Sequence, residues 1–142
     1  RRLTLPQNNA ELLLDRSHVG FVLKDALEDP ATVEEIRELV ASPGRTIIFC
    51  DAGKAIEFNL YVPFMKEDDL ILMHDFASSP EVFETEIKGK GVWGSLEVWY
   101  ERVAETCEKH CIVHTTYFND VVWSCGRKVT PERLKAFLDK LD

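Results

Sequence analysis

The order of its apolar runs constrains this chain of 142 residues more than any other feature. The runs at 18–24, 46–50 and 69–73 are each typical of a strand, and a helical pattern with one apolar face follows each run. Strands that alternate with helices through short links favour a parallel sheet covered by helices. The run at 46–50 is apolar throughout, which predicts a strand buried on both faces.

Two more predicted strands follow at 111–118 and 121–125, with only Asn119 and Asp120 between them. A link this short cannot cross over a sheet, so these strands are expected to form an antiparallel hairpin. The predicted fold class is therefore α/β, with a mostly parallel sheet and a terminal antiparallel hairpin. Six helices are predicted: at 10–16, from 30 to the Pro43-Gly44 stop, at 54–62, from Pro80 onward, at 96–110, and from Pro131 to about 141. The segment 86–91 is predicted to be a flexible loop.

Composition narrows the class of protein. Hydrophobic residues make up 45% of the chain and charged residues 30%, which is typical of a globular protein, and the length suits a single domain over 1–142. A formal net charge of -8 argues against a nonspecific nucleic-acid binder, which needs a basic face. No apolar run approaches the ~20 residues that span a bilayer, so no membrane partner is expected. The four cysteines form no CxxC pair, which favours a reduced, cytoplasmic protein.

Acidic residues directly follow the first three predicted strands. Asp25 follows the first strand, Asp51 the second, and His74-Asp75 the third. Ligands bind outside the carboxyl ends of the strands in an open parallel sheet, so these side chains are expected to line a functional rim. A simpler interpretation is that Asp25 and Asp51 cap the helices that follow them. Asp75 has no immediate helix to cap, since the next one begins near Pro80.

Asp51 and Asp75 end neighbouring predicted strands, which lie ~4.8 Å apart in a sheet. Two carboxylates that converge either share a proton or hold a cation. With His74 alongside, a divalent cation is a sensible hypothesis, because oxygen ligands favour Mg²⁺, Ca²⁺ or Mn²⁺ over zinc. Lys54 either neutralises the acids or lies at a solvated helix start. Trp93 follows the glycine-containing loop, where it either covers a substrate or packs under the loop.

The segment CDAGKAIEFNLYVPFMKEDDLILMHDF at 50–76 resembles a motif of the class I S-adenosylmethionine-dependent methyltransferases. The branch is that of the cephalosporin hydroxylase-like enzymes and the macrolide sugar O-methyltransferases, in which the motif reads CDGG-K--EF-----LK-GD-I--HD. The segment VLKDALED at 22–29 also resembles the strand end that meets the adenine of the cofactor. The resemblance covers roughly 19–128 and includes the terminal antiparallel hairpin.

The resemblance implies a Rossmann-like methyltransferase sheet and a specific activity. The implied enzyme is a metal-assisted O-methyltransferase that acts on a hydroxyl of a sugar or small natural product. Its cofactors would be S-adenosylmethionine and Mg²⁺ or another divalent cation. In such enzymes the metal holds the substrate hydroxyl and lowers its pKa, so that the oxygen attacks the methyl group of the cofactor.

Site residues follow from the resemblance by position. Asp51 and Asp75 correspond to catalytic carboxylates of the divalent-metal site, and His74 corresponds to its third ligand. Asp25 and Ala26 correspond to contacts with the adenine. On the acceptor side, Lys54 and Trp93 are expected to face the small-molecule substrate. Glu97 lies where relatives often carry an acid.

The chain also departs from the family pattern. Ala52-Gly53 replaces the Gly-Gly pair after the aspartate, and His74 stands where relatives often carry another acid. No glycine-rich turn of the GxGxG type occurs, and the first two strands of the family's sheet have no counterpart. The chain is therefore expected to be the C-terminal portion of a longer enzyme, which would bind the cofactor poorly by itself.

Two other functions stay open. A non-catalytic binding or scaffold module, derived from such a methyltransferase, would keep the sheet without the cofactor half. A doubly wound phosphoryl or glycosyl transferase ranks last, because no phosphate-cradling glycine loop occurs. The sequence leaves open both the identity of the methyl acceptor and self-association into a homo-oligomer.

Overall fold

The computed structural model describes residues 25–115 and 122–140. The predicted helix at 10–16, the predicted strand at 18–24 and the link at Asn119-Asp120 lie outside the described residues. The helices are Pro30–Ala41 (α1), Lys54–Tyr61 (α2), Pro80–Val82 (α3), Ala104–His110 (α4) and Pro131–Leu138 (α5). The strands are Ile47–Cys50 (β1), Leu70–His74 (β2), Phe76–Ala77 (β3), Val98–Trp99 (β4), Ile112–Thr115 (β5) and Trp123–Lys128 (β6). Short 3-10 turns cover Val62–Phe64 and Tyr100–Arg102, and a π-helical segment covers Phe83–Lys88.

Four of the strands form one mixed sheet in the order β1-β2-β6-β5. β1 and β2 are parallel, whereas β6 is antiparallel to both β2 and β5. β5 therefore runs in the same direction as β1 and β2. β3 and β4 pair in parallel as a separate small sheet. The α/β class and the antiparallel pairing of β5 with β6 are confirmed. The prediction of a mostly parallel sheet is confirmed only in part, because β1 and β2 are the only neighbouring strands of the described sheet that pair in parallel, and β6 is antiparallel to both of its neighbours.

Helix starts agree with the sequence where a polar residue precedes a proline. The side chains of Asp29, Ser79 and Thr130 accept hydrogen bonds from backbone N–H groups of the first turn, at 3.1, 3.1 and 3.2 Å. Proline occupies the next position in each case, where a missing N–H costs nothing. Each such cap stabilises the start of a helix by about 1 kcal/mol.

The hydrophobic core lies on one face of the four-stranded sheet. Ile71 and Met73 of β2 are fully buried there, and they alternate with residues that point to the opposite face. α2 and α4 cover this core with Phe58 and Cys107. His114 of β5 stacks on Phe58, and burial lowers the pKa of His114, which favours its neutral form.

The opposite face of the sheet is open at β1, which corrects the expectation of a strand buried on both faces. The side chains of Ile47 and Phe49 are 65% and 50% exposed, whereas Cys50 is fully buried. β1 lies at the edge of the described sheet, and the Phe49 ring stacks on Trp123 with ring centroids 5.2 Å apart. An apolar run therefore identified a strand here, but it did not show that both faces are covered.

The predicted helix at 96–110 is wrong in its first half. Val98 and Trp99 form β4 and pair with β3, and the helix begins only at Ala104. The apolar residues of this stretch have helical spacing, but Trp99 has an extended backbone with φ -132° and ψ 164°. Pairing with β3 therefore overrides the local helical pattern in this segment.

The predicted flexible loop at 86–91 is wrong in part. Helical backbone continues through Lys88, because Phe83–Lys88 forms a π-helical segment directly after α3. Gly89 donates its N–H to the carbonyl oxygen of Glu84 at 2.9 Å and so closes this segment. The chain then turns at Gly91, whose φ of 69° is a conformation that glycine adopts readily.

Among the described residues, no helix combines the length and the apolar character that crossing a bilayer requires. The four cysteines are free thiols, and Cys50, Cys107 and Cys125 are buried. Burial raises the pKa of Cys50 and of Cys107 to about 12, so both thiols stay protonated and pack as small apolar groups.

A buried carboxylate aligns the first two strands of the sheet at their amino ends. Asp69 is fully buried directly before β2, and its Oδ1 accepts a hydrogen bond from the backbone N–H of Thr46 at 2.7 Å. Its Oδ2 accepts from the backbone N–H of Lys66 at 2.7 Å and from the Lys66 ammonium at 3.0 Å. Burial alone would raise the pKa of Asp69, but these hydrogen bonds hold the pKa below its usual value.

We expect Asp69→Asn to lower the free energy of unfolding by about 2–3 kcal/mol at neutral pH, because hydrogen bonds to a charged acceptor are replaced by weaker ones. The folded-state pKa of Asp69 lies below its unfolded value, so its stabilisation is present above about pH 4 and is lost as the pH falls toward the folded pKa. Urea unfolding at several pH values should therefore show the two proteins converging in acid. Glu67→Gln, at an exposed neighbour, is the control, and a gap that widens in acid would contradict the assignment.

Candidate functional site

Asp51 and His74-Asp75, which were predicted at strand ends, lie at one edge of the sheet, whereas the predicted strand before Asp25 lies outside the described residues. β1 and β2 are parallel neighbours, and Cys50 is paired with Met73 at their carboxyl ends. Asp51 follows β1 directly, and Asp75 follows β2 directly. α2 begins at Lys54, three residues after Asp51, so its first turn also lies at this edge. The expected convergence of side chains at this rim is therefore present in the structure.

The ammonium group of Lys54 lies in the middle of these acids. Its Nζ is 2.7 Å from Glu97 Oε2, 2.9 Å from Asp75 Oδ2 and 3.8 Å from Asp51 Oδ1. The Lys54 side chain is only 5% exposed, so this charge is taken out of water and depends on its carboxylate partners. Of the two interpretations of Lys54, neutralisation of the acids is the one that the structure supports.

Asp75 is the most constrained of the three acids. Its Oδ1 accepts a hydrogen bond from Trp93 Nε1 at 2.6 Å and lies 3.0 Å from His74 Nδ1, while its Oδ2 faces Lys54. Its backbone φ is 55°, in the left-handed region that aspartate adopts more often than most residues. Both carboxylate oxygens are therefore engaged within the protein.

The pKa values of the pair follow from these contacts. Burial alone would lower the pKa of Lys54, but hydrogen bonds to Glu97 and Asp75 outweigh it and raise the pKa above its usual value. Burial alone would raise the pKa of Asp75, but hydrogen bonds from Lys54 and Trp93 hold the pKa below its usual value. Both groups are therefore charged over the whole neutral range.

Glu97 belongs to the segment directly before β4, a strand that the sequence did not predict. It precedes β4, and the backbone N–H groups of Glu97 and Val98 donate to the carbonyl oxygen of Asp75 at 3.0 and 3.1 Å. Its side chain is 49% exposed, which leaves this carboxylate open to solvent on one side. The only sequence signal for Glu97 was its position in the resemblance, because the stretch around it had helical spacing.

Aromatic rings enclose His74 at the same edge. Its ring makes edge contacts with Trp93 and Trp123, with centroids 5.2 and 4.8 Å apart. Trp93 thus contacts both residues of the His74-Asp75 pair, although its side chain is 43% exposed. The hydrogen bond of Trp93 to Asp75 gives it a structural role beside the acids, and its expected contact with a substrate stays a prediction.

Two cavities flank the cluster. One, of ≈ 390 Å³, is bordered by Gly53, Lys54 and Glu97 and lies between the start of α2 and β4. The other, of ≈ 420 Å³, lies beside Phe76, Ile87 and Trp123. The first cavity gives a small molecule access to the exposed side of Glu97.

Asp51 does not cap α2, which was its simpler interpretation. The N-cap position is Gly53, which makes no side-chain cap, and the backbone N–H of Ala52 donates to Glu57 Oε2 at 3.1 Å. The Asp51 side chain is 60% exposed, and 3.8 Å separates it from Lys54. A Cβ on Gly53 would meet Leu27 Cδ1 at 2.6 Å, but this atom is the end of a flexible side chain that can shift to make room.

Asp25 and Ala26 lie in a turn before α1. Asp25 Oδ1 accepts hydrogen bonds from the backbone N–H groups of Leu27 and Glu28, at 2.8 and 3.0 Å. The carbonyl oxygen of Ala26 accepts from the hydroxyl of Tyr61 at 2.5 Å. Asp25 therefore closes a turn and does not cap α1, whose N-cap is Asp29, while the contacts of Asp25 and Ala26 with an adenine stay a prediction.

A divalent cation does not fit the cluster as it is arranged. The position between Asp51, Asp75 and Glu97 holds the Lys54 ammonium, and His74 Nδ1 faces Asp75 rather than a common centre. Within 25–115 and 122–140, no group of three or more His, Cys, Asp or Glu side chains is arranged to hold a metal ion. The metal role of Asp51, His74 and Asp75 therefore stays a prediction that this geometry does not support.

We expect Lys54→Met to lower the free energy of unfolding by about 3–5 kcal/mol, because it leaves the buried Asp75 carboxylate without its cation. Lys88→Met is the matched control, since Lys88 pairs with Glu84 on an exposed helix surface and its removal should have little effect. Urea unfolding followed by tryptophan fluorescence measures both changes. Equal stabilities of the two variants would show that Lys54 does not stabilise the fold.

Comparisons of the chain with models of known protein families, with curated proteins and with solved structures found no match. The interpretation of the cluster around Lys54 therefore depends on its own geometry and on the resemblance of the 50–76 segment.

Proposed function

We propose that this chain forms the acceptor side of an S-adenosylmethionine-dependent O-methyltransferase, which acts on a hydroxyl of a sugar or small natural product. The observation that carries the proposal is the polar cluster at the carboxyl ends of the parallel strands β1 and β2, where α/β sheets bind ligands. The insertion of β6 between β2 and β5 also supports it, because the resemblance implied a terminal antiparallel hairpin.

The exposed side of Glu97 is the reactive edge of the proposed site. A substrate hydroxyl in the ≈ 390 Å³ cavity can donate to Glu97, whose other face is held by Lys54. The proton passes to this carboxylate while the hydroxyl oxygen forms its new bond to carbon. Lys54 stabilises the negative charge that develops on the oxygen, since its buried ammonium is a cation fixed in place before the reaction. When bound, S-adenosylmethionine would supply the methyl group from its sulfonium, and its sulfur would keep the electron pair of the broken bond.

The cofactor side of the proposal depends on Asp25 and Ala26. Within the described residues, hydrogen bonds reach Oδ1 of Asp25, and this exposed carboxylate keeps Oδ2 for an amino donor such as that of adenine. Lys54, Asp75 and Trp93 would position the acceptor, and Asp51 would add negative charge at the mouth of the site. No step of this transfer is assigned to a divalent cation, because Lys54 occupies the position between the acids.

A non-catalytic binding or scaffold module is the second candidate, and one observation favours it. Both oxygens of Asp75 are satisfied by Lys54, Trp93 and His74, so this carboxylate is fully used within the protein. Buried ion pairs of this kind also occur where they only fix a structure. The two candidates differ in whether S-adenosylmethionine binds to the chain at all.

Methyl transfer from radiolabelled S-adenosylmethionine to a panel of sugars and phenols, together with calorimetric titration of the cofactor, tests the proposal. We expect Glu97→Gln to reduce turnover by about 10²–10⁴-fold, the usual contribution of a general base, and to leave cofactor binding unchanged. Asp139→Asn, at the exposed C-cap position that follows α5, serves as the control and should retain full turnover. Because this chain is expected to bind the cofactor weakly by itself, the titration extends to millimolar S-adenosylmethionine. A folded chain that shows no binding even there would overturn the proposal and favour the scaffold module.

A further inference from the structure

We infer that the ammonium group of Lys54 is the resident cation of this site, and that it excludes a divalent metal ion from the position enclosed by Asp51, Asp75 and Glu97. The inference does not depend on the proposed function, because metal binding can be measured without methyl transfer. It predicts that the acids at the strand ends hold a metal only when the lysine charge is removed.

The first step is the geometry around Nζ. Glu97 Oε2 and Asp75 Oδ2 lie 2.7 and 2.9 Å from the Lys54 nitrogen, which are distances of charge-assisted hydrogen bonds. Mg²⁺ would instead need oxygens at about 2.0–2.1 Å, and Ca²⁺ at about 2.3–2.6 Å. A metal ion and the ammonium group therefore cannot share this position, because the same two oxygens would have to serve both cations.

The second step is the burial of the lysine. Lys54 belongs to the first turn of α2 and is only 5% exposed, and its partner Asp75 is 7% exposed as a residue. To admit a metal, the ammonium would have to leave both carboxylates while helix α2 kept its place on the core through Phe58. A lysine that is enclosed in this way differs from a surface lysine, which can swing aside at little cost.

The third step is the state of the remaining candidate ligands. Asp75 Oδ1 is already held by Trp93 Nε1 at 2.6 Å and by His74 Nδ1 at 3.0 Å. Asp51 is 3.8 Å from the ammonium and would have to move inward to coordinate an ion at that position. The carboxylates of Asp51, Asp75 and Glu97 are thus arranged around the single positive charge of Lys54. Removal of that charge leaves these carboxylates around the position that the ammonium occupied.

Titration of Mn²⁺ followed by the electron paramagnetic resonance signal of the free ion tests this inference on the full chain. We expect Lys54→Met to bind Mn²⁺ at least about tenfold more tightly than the wild-type chain does, because the repulsion between like charges is removed. Lys66→Met is the matched control: it also removes a lysine from a buried aspartate, but among the described residues Asp69 is the only carboxylate that pairs with Lys66. The double variant Lys54→Met with Asp75→Asn should lose the new binding.

Two outcomes would overturn the inference. Wild-type binding as tight as that of Lys54→Met would show that Lys54 does not exclude the metal. A folded Lys54→Met variant that binds no Mn²⁺ would show that the carboxylates do not enclose an ion position. Neither outcome bears on the proposed function, for which cofactor binding is the test.

A second measurement on the wild-type chain covers the case in which Lys54→Met does not fold. The enclosed Lys54 ammonium should give a protected ¹⁵N–H signal, assigned by its absence in Lys54→Arg, and millimolar Mg²⁺ should leave that signal unchanged. Loss or a large shift of the signal on addition of Mg²⁺ would mean that the metal displaces the ammonium, and the inference would fail.

Discussion

The contact between Lys54 and Asp75 is the interaction on which the carboxyl edge of this protein depends. Lys54 starts α2 and Asp75 directly follows β2, so one ion pair fixes the first helix turn after β1 to the end of the neighbouring strand. Glu97 joins the same ammonium and brings in the segment before β4. Trp93 attaches the loop before that segment to the other oxygen of Asp75. Elements that are far apart in the sequence are thus positioned by one buried charge.

A second buried carboxylate does the equivalent task at the opposite edge of the sheet. Asp69 binds the backbone N–H of Thr46 and the ammonium of Lys66, so the starts of β1 and β2 are held in register. Between the two edges the register is maintained by apolar packing of residues such as Ile71. Charged groups at both ends and an apolar middle explain how so short a parallel pair is specified without a covalent link.

The sequence predicted the elements whose signals are local. The helix caps at Asp29, Ser79 and Thr130 involve only these residues and their next few neighbours in the chain. The local sequence is therefore enough to predict them. It did not predict β4, because its strand character comes from pairing with β3 about twenty residues earlier in the chain. The exposure of Phe49 was also hidden, since an apolar strand reads the same whether one face is covered or both.

The candidate site shows the same division between local and long-range information. Strand ends bring Asp51 and Asp75 to one edge, which follows from the alternation of strands and helices and needed no further data. The sequence could not decide what neutralises them, because a lysine that is three residues from an aspartate fits both a solvated helix start and a buried ion pair. The choice is made by Glu97, which encloses Lys54 from a segment more than forty residues away. With Glu97 in place, the lysine has two close carboxylate partners and the cost of burying its charge is offset. The identity of the cation in this site is thus a property of the tertiary fold, even though every residue that contributes to it is visible in the sequence.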